Sequence, residues 1–282
     1  MVPQARTGWS APDGEETRMR RRFAAVLVAV ALGGAACGGS DGEAAGTPSP
    51  SGPADAGLTG TLTVFAAASL TDVFTGLGQQ LEEENPELTV QFNFAGSSAL
   101  ATQLTQGAPA DVFASANPAQ MAVVTDAGLG EGEPTVFTAN VLRIAVPAGN
   151  PAGITGLADF AREELAIAVC APDVPCGAAS EDVFAAAGVP PRPDTQEEDV
   201  RAALTKVELG EVDAALVYAT DVTAAGDAVE GIAFPEAEDA VNDYPLVTLA
   251  EAPNADAAEA FVDLVLSDEG QQALEDAGFR AP

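Results

Sequence analysis

The chain contains no histidine. That absence removes Ser-His-Asp and Cys-His catalysis, histidine-ligated zinc and a histidine general base together. Basic residues are scarce too. Downstream of Cys37 only Arg143, Arg162, Arg192, Arg201, Lys206 and Arg280 stand against 40 acidic residues, a net charge of −34. A surface so acidic repels nucleic acid, which is excluded as a partner. Three cysteines without a histidine are too few for a structural zinc site. Long apolar runs are missing as well. The run of small and apolar residues from Phe23 to Ala36 has 14 residues, short of the roughly 20 that a membrane-spanning helix needs.

That run follows Arg20, Arg21 and Arg22 and ends at Cys37, the layout of a signal peptide over residues 1–36. Met19 makes a more natural start than Met1, so residues 1–18 are expected to be an annotation artefact. Ala35, Ala36 and Cys37 resemble the lipobox of bacterial lipoproteins, departing from it at Gly34. The resemblance implies that Cys37 is acylated and that the protein is exported and lipid-anchored at the outer face of the cytoplasmic membrane. Gly38 to Gly57 is rich in Gly, Ser, Pro, Ala and acid. Residues 37–57 therefore read as a disordered tether with a reach of roughly 25 Å. The remaining 225 residues, Leu58 to Pro282, suit one large domain or two lobes.

What is present is a repeated α/β pattern. TLTVFAAASLTDVF, LTVQFNFAGSSALATQL and GAPADVFASAN, between Thr61 and Asn117, are apolar runs that each end in a small polar residue. Leu70, Val73, Phe74, Leu77 and Leu81 then have the spacing of one helix face. Ser97 or Ser98 precedes Leu100 and Leu104 in the same way, and Asn117 precedes Pro118 as a cap before a first-turn proline. Alternating strands and helices imply a parallel sheet with right-handed crossovers. Ligands of such sheets settle beyond the carboxyl ends of the strands, where helix N-termini offer free N–H groups. Ser69 and Ser97 sit at two such ends, so an anion site is expected.

A second α/β unit follows. Thr135–Val146 is too long for one ordinary strand, which places a first passage between lobes near Thr138–Asn140. Leu165–Cys170 reads as a strand, APDVPCG as a loop, Ala178–Ala187 and Gln196–Leu209 as helices, and Asp213–Tyr218 as a strand. Ile232–Phe234 and Leu246–Leu249 read as strands returning the chain to the first lobe, with Ala255–Leu266 and Glu269–Ala277 as outer helices. The expected division is 58–138 and 236–282 for lobe I and 139–235 for lobe II.

Six strings now carry a resemblance: VFAAASL, FAGSSAL, GAPADVFASAN, VPCG, EDVRAAL and LVYATD. In order and spacing, from about Thr61 to the C-terminus, they resemble the molybdate-binding proteins of bacterial ABC importers. The resemblance implies an α/β, two-lobed periplasmic-binding-protein fold of type II with two interlobe crossings, each lobe a mixed, mainly parallel sheet flanked by helices. It implies capture of molybdate, and of tungstate, for an ABC permease by a monomer that is not an enzyme and needs no cofactor. The site implied is Ser69 and Ser97 from one lobe, with the main-chain N–H groups of Cys176 and Val200 and the hydroxyl of Tyr218 from the other. The family commonly has alanine where Cys176 stands. Ser98 and Arg201 are candidates for a supporting role, and molybdenum or tungsten would be held as an oxyanion rather than at a cation site.

Plainer readings stay open for each residue alone. Ser69 with Asp72 fits a capping box, Ser97 and Ser98 fit helix caps, and Tyr218 fits a core aromatic at a strand end. Cys170 and Cys176 flank a short loop of an exported domain, where a disulfide is expected, worth roughly 2 kcal/mol. Three functional rivals remain: the same fold holding sulfate or phosphate; a secreted hydrolase with Ser69 or Ser97 as nucleophile and Lys206, the only lysine of the chain, as base; and a ligand-free interaction module.

Overall fold

The computed structural model describes residues 57–282. The signal segment, Cys37 and the tether as far as residue 56 lie outside the described residues. The first lobe is laid down as β1 (Thr59–Ala67), α1 (Thr71–Glu84), β2 (Glu87–Ala95), α2 (Ser97–Thr105), β3 (Val112–Ala114), α3 (Pro118–Asp126) and β4 (Thr135–Asn140). β1 runs parallel to both β2 and β3, as the alternating pattern requires. Leu62, Val64 and Ala66 of β1 pack toward α1, and Phe65 packs toward α2 and α3. Both faces of the sheet are thus covered, which is why the strand reads as a continuous apolar run. α1 brings Val73, Phe74, Leu77 and Leu81 onto its face. Asn117 caps α3 by accepting a hydrogen bond from Gln120 N at 2.9 Å, with Pro118 in the first turn.

The second lobe holds β5 (Leu142–Pro147), β6 (Ile167–Cys170), α4 (Pro175–Ala187), β7 (Thr195–Glu197), α5 (Val200–Glu208), β8 (Ala214–Tyr218), α6 (Ala219–Ala225) and β9 (Val229–Ile232). The chain then returns through β10 (Asn242–Thr248) and ends in α7 (Ala255–Leu266) and α8 (Asp268–Asp276). The two sheets have the orders β2-β1-β3-β10-β4 and β7-β6-β8-β5-β9. In each sheet three strands pair in parallel, a fourth (β10 or β5) runs antiparallel beside them, and the edge strand (β4 or β9) pairs antiparallel with that fourth. This is the two-lobed periplasmic-binding-protein fold.

Several local expectations change. The run Thr135–Val146 is two strands, one in each sheet, broken at Val141. Asn140 Oδ1 accepts from Val141 N at 3.0 Å, so the ladder is interrupted by a local side-chain bond. The first crossing therefore falls at Val141. Ile232 stays in the second sheet, in β9 beside β5, and Phe234, Ala237 and Ala240 pack into the second lobe's core. The return crossing falls at Val241, and the second lobe reaches Ala240 rather than residue 235. α4 starts at Pro175 instead of Ala178, because proline suits the first helical position. The stretch from Gln196 splits into β7, a cap at Asp199 and α5. The short α6 after Tyr218 was not expected.

One buried carboxylate ties the first lobe together. Asp111, 1% exposed, accepts from Thr63 N at 2.7 Å and Asn254 N at 2.6 Å. It joins β1, the start of β3 and the cap of α7. Replacing it would leave two main-chain donors without an acceptor, one of them inside the sheet. Asp111→Ala is expected to lower stability by about 3 kcal/mol, read as a lower urea midpoint at unchanged slope.

Candidate functional site

The carboxyl ends of parallel strands from both sheets meet at a small cavity, about 20 Å³ of which is open to the centre of a water-sized guest. Ser69 and Ser97 line it from the first lobe, and Cys176, Val200 and Tyr218 from the second. The first four follow the ends of β1, β2, β6 and β7 respectively, and Tyr218 is the last residue of β8. Ser98 does not reach the cavity and borders a neighbouring surface hollow with Thr102. Arg201 lies just outside the wall, next to Val200.

The wall is largely alanine, valine and proline, and its polar groups are mostly hydrogen-bond donors. Ser97 opens α2, Cys176 lies in the first turn of α4 and Val200 opens α5. First-turn N–H groups have no acceptor within their own helix, and each helix N-terminus carries a partial positive charge of about +0.5. Ser97 Oγ accepts from Ala116 N at 3.0 Å, which leaves its own proton to donate elsewhere. Ser69 Oγ and Tyr244 Oη are 2.8 Å apart. Tyr218 Oη is buried and makes no hydrogen bond among the described residues. Burial pushes the phenols of Tyr218 and Tyr244 above their ordinary range, so both remain protonated donors.

The first turn of α4 is held in place covalently and sterically. Cys170 and Cys176 form a disulfide with Cα atoms 5.7 Å apart. A Cβ on Gly177 would come within 1.7 Å of the Ala171 carbonyl oxygen, so only glycine lets this turn sit against the end of β6.

The carboxylates nearby are already engaged. Asp199 Oδ1 accepts from Ala202 N at 2.9 Å, capping α5. Asp221 is fully buried. Its Oδ2 accepts from Tyr218 N at 2.9 Å, and its Oδ1 lies 3.1 Å from Arg201 Nε, too poorly aligned for a hydrogen bond. Burial pushes Asp221 up to about 7, although the Arg201 charge and the Tyr218 N–H pull the other way.

The capping-box alternative for Ser69 does not hold. Ser69 sits in a 3-10 turn, Ala68–Leu70, ahead of α1, and Asp72 pairs with Arg201 instead. Lys206 lies in the last turn of α5 with its Nζ 3.2 Å from Glu197, so it is not placed as a base for either serine.

The sequence reading missed three supporting residues. Tyr244 holds the Ser69 hydroxyl. Asn242 donates to Ala116 O at 2.8 Å and so steadies the residue that bonds Ser97. Gly96 is the third: a Cβ there would lie 2.2 Å from Glu198 O, on the opposite lobe. The FAGSS string hinted at Gly96. Nothing around Asn242 or Tyr244 gave a signal.

A family model for bacterial extracellular solute-binding proteins matches residues 62–280. The chain is 44% identical over 234 residues to a molybdate-binding protein ModA of Mycobacterium tuberculosis, covering 83% of this chain and 89% of that one. It is 31% identical over 229 residues to the ModA of Haemophilus influenzae, covering 78% and 90%. Among solved structures, the periplasmic molybdate-binding protein of Azotobacter vinelandii superposes with a TM-score of 0.67 at 20% identity, covering 78% and 99%.

Two predictions follow from this geometry. Gly96→Ala should hold the lobes apart, weakening capture of any cavity guest at least about ten-fold, the equivalent of 1.4 kcal/mol, with the thermal midpoint unchanged; calorimetry checks it. Asp221 has a folded pKa above its unfolded one. Its contribution to stability is therefore present below about pH 4 and lost as pH rises through about 7. Wild type should lose stability relative to Asp221→Asn across that window, measured by chemical unfolding at stepped pH.

Proposed function

Since the chain belongs to the bacterial extracellular solute-binding proteins, we propose that it captures molybdate, and tungstate, and delivers the oxyanion to an ABC permease. One observation carries this reading. Among apolar residues, the interlobe cavity brings together Ser69, Ser97, Tyr218 and the starts of α4 and α5, with Asp199 its one charged residue and no lysine or arginine in the wall.

Burying an unpaired ion is prohibitively costly, and hydrogen bonds must replace its water. Charge-assisted bonds from neutral donors are roughly twice as strong as neutral pairs. Ser69 and Ser97 would donate from one lobe, and the N–H groups of Cys176 and Val200 and the Tyr218 hydroxyl from the other. A guest touching both lobes favours their closed arrangement, a hinge motion about the crossings at Val141 and Val241. Omitting formal cations keeps the grip moderate enough for release to a transporter. The Cys170–Cys176 disulfide fixes the turn that presents the Cys176 N–H.

The wall disfavours a protonated oxyanion such as phosphate at neutral pH. Such a guest needs an acceptor, and the one carboxylate at the wall, Asp199, is held by its own helix. The 44% identity to a named molybdate-binding protein over most of both chains supports molybdate over sulfate. Acylation at Cys37 would hold the domain, as a monomer, beside the membrane on its tether. No helix among the described residues is long and apolar enough to cross a membrane.

Parallel calorimetric titrations with molybdate, tungstate, sulfate and phosphate test the assignment. Molybdate and tungstate are expected to bind, and phosphate to give no heat. Ser69→Ala, Ser97→Ala and Tyr218→Phe should each weaken molybdate about ten- to one-hundred-fold. Preference for sulfate, or indifference to all three substitutions, would overturn the reading.

A further inference from the structure

Three of the segments that line the cavity carry a charged residue close by. Asp72 stands three residues after Ser69, Arg201 follows Val200, and Asp221 stands three residues after Tyr218. The structure gathers these three charges. Arg201, on α5 of the second lobe, pairs with Asp221 of its own lobe through Nε and with Asp72 of the first lobe through Nη2. Among the described ion pairs only one other joins the lobes, Arg280 with Glu238, both contacts at 2.7 Å. That pair lies beside the crossing at Val241, where hinge opening moves groups least. Asp72 and Arg201 lie at the cleft, flanking a hollow of about 260 Å³ that Ser69 also lines.

The three groups differ in exposure. The side chain of Asp221 is 0% exposed, that of Arg201 27% and that of Asp72 62%. A buried carboxylate keeps a cation beside it whether the lobes are together or apart, because leaving it unpaired is costly. Asp72 can rehydrate freely. Arg201 is therefore anchored on one side and released on the other. Its planar fork can reach two carboxylates at once, which a lysine ammonium does less well.

We propose that Asp72 and Arg201 form a latch across the cleft that slows release of the guest, with Asp221 as the positioning residue that aims Arg201 at Asp72. This rests on the oxyanion-capture reading above. It makes a prediction opposite in sign to simple electrostatics. Removing an acidic charge near a dianion site should tighten the grip by relieving repulsion, whereas breaking a latch should loosen it.

Rapid filtration of protein loaded with radiolabelled molybdate measures release directly. Asp72→Asn is expected to release about two- to five-fold faster than wild type, the range for a partly exposed ion pair. Arg201→Lys, which keeps the charge, should also release faster, and Asp72→Glu should restore release toward the wild-type rate. Asp173→Asn removes an acid from the cleft rim that pairs with no cation among the described residues, and should release no faster than wild type. Equal or slower release from Asp72→Asn overturns the latch. A second arm needs no ligand: hydrogen exchange in peptides carrying Ser69 and Val200 should quicken in Asp72→Asn, and unchanged exchange counts against the latch. If wild type takes up no molybdate the capture reading fails, and the exchange arm still decides the latch.

Discussion

An ion taken out of water keeps its charge only if donors already in place replace the hydration it gives up. Everything near the cavity serves that requirement. Parallel strands deliver their carboxyl ends to one place, and helices start there with first-turn N–H groups unbonded. The hydroxyls are oriented by bonds on their other side. Ser97 accepts from the Ala116 N–H, which frees its proton, and Ser69 pairs with the Tyr244 hydroxyl. Tyr218 completes the set with a buried hydroxyl that lacks a partner among the described residues. A wall of this kind would favour a compact anion with no cation of its own, its one carboxylate, Asp199, being held by the cap of α5.

The second constraint is that the two halves of the wall belong to different sheets. Only the connections at Val141 and Val241 join β4 to β5 and lead the second lobe back to β10. Asn140 and Asn242 are register partners in β10 and β4, so the two crossings run side by side. Asn140 also donates to Thr220 at 2.9 Å, tying the crossing to α6. Pairing of this kind lets the lobes rotate about a narrow strip while each sheet stays intact. Contact across the cleft then depends on surfaces that can meet closely, which is where the missing side chain of Gly96 against Glu198 matters.

Much of this was legible in the sequence because it is local. The spacing of Leu70, Val73, Phe74 and Leu77 made α1 visible, the Asn117–Pro118 pair marked the start of α3, and Ala255–Leu266 was read to both ends. The five residues expected at the site came from short strings at strand ends, and the fold gathers all five at one cavity. What escaped depends on distant partners. A three-residue strand such as β7 exists because β6 pairs with it, and a polar run of Gln196, Glu197 and Glu198 hides it. α4 begins at Pro175 because its first turn packs on Ala171, while PDVPCG alone reads as a turn. Tyr244 meets Ser69 only after the chain has passed through the whole second lobe. For Ser69 the sequence left a cap and a site residue both open; the 3-10 turn before α1 turns its hydroxyl toward Tyr244 instead of the helix.

Position 176 shows what recognition through the main chain allows. A residue that faces the cavity with its N–H group leaves its side chain free for other work, provided the backbone stays where it is. Here the side chain is a cysteine bonded to Cys170, the last residue of β6. The bond joins the strand end to the helix start, the two features that fix where the N–H points. Val200 makes the same point without a crosslink: it lines the cavity from the first turn of α5 while its side chain packs into the second lobe's core. In the capture proposed above, serine at 69 and 97 and tyrosine at 218 would have no such freedom, since their hydroxyl protons would be the recognition element. Substitution should therefore be tolerated unequally around one cavity, widely at the amide positions and hardly at the hydroxyl ones, even where all five groups lie equally near the guest.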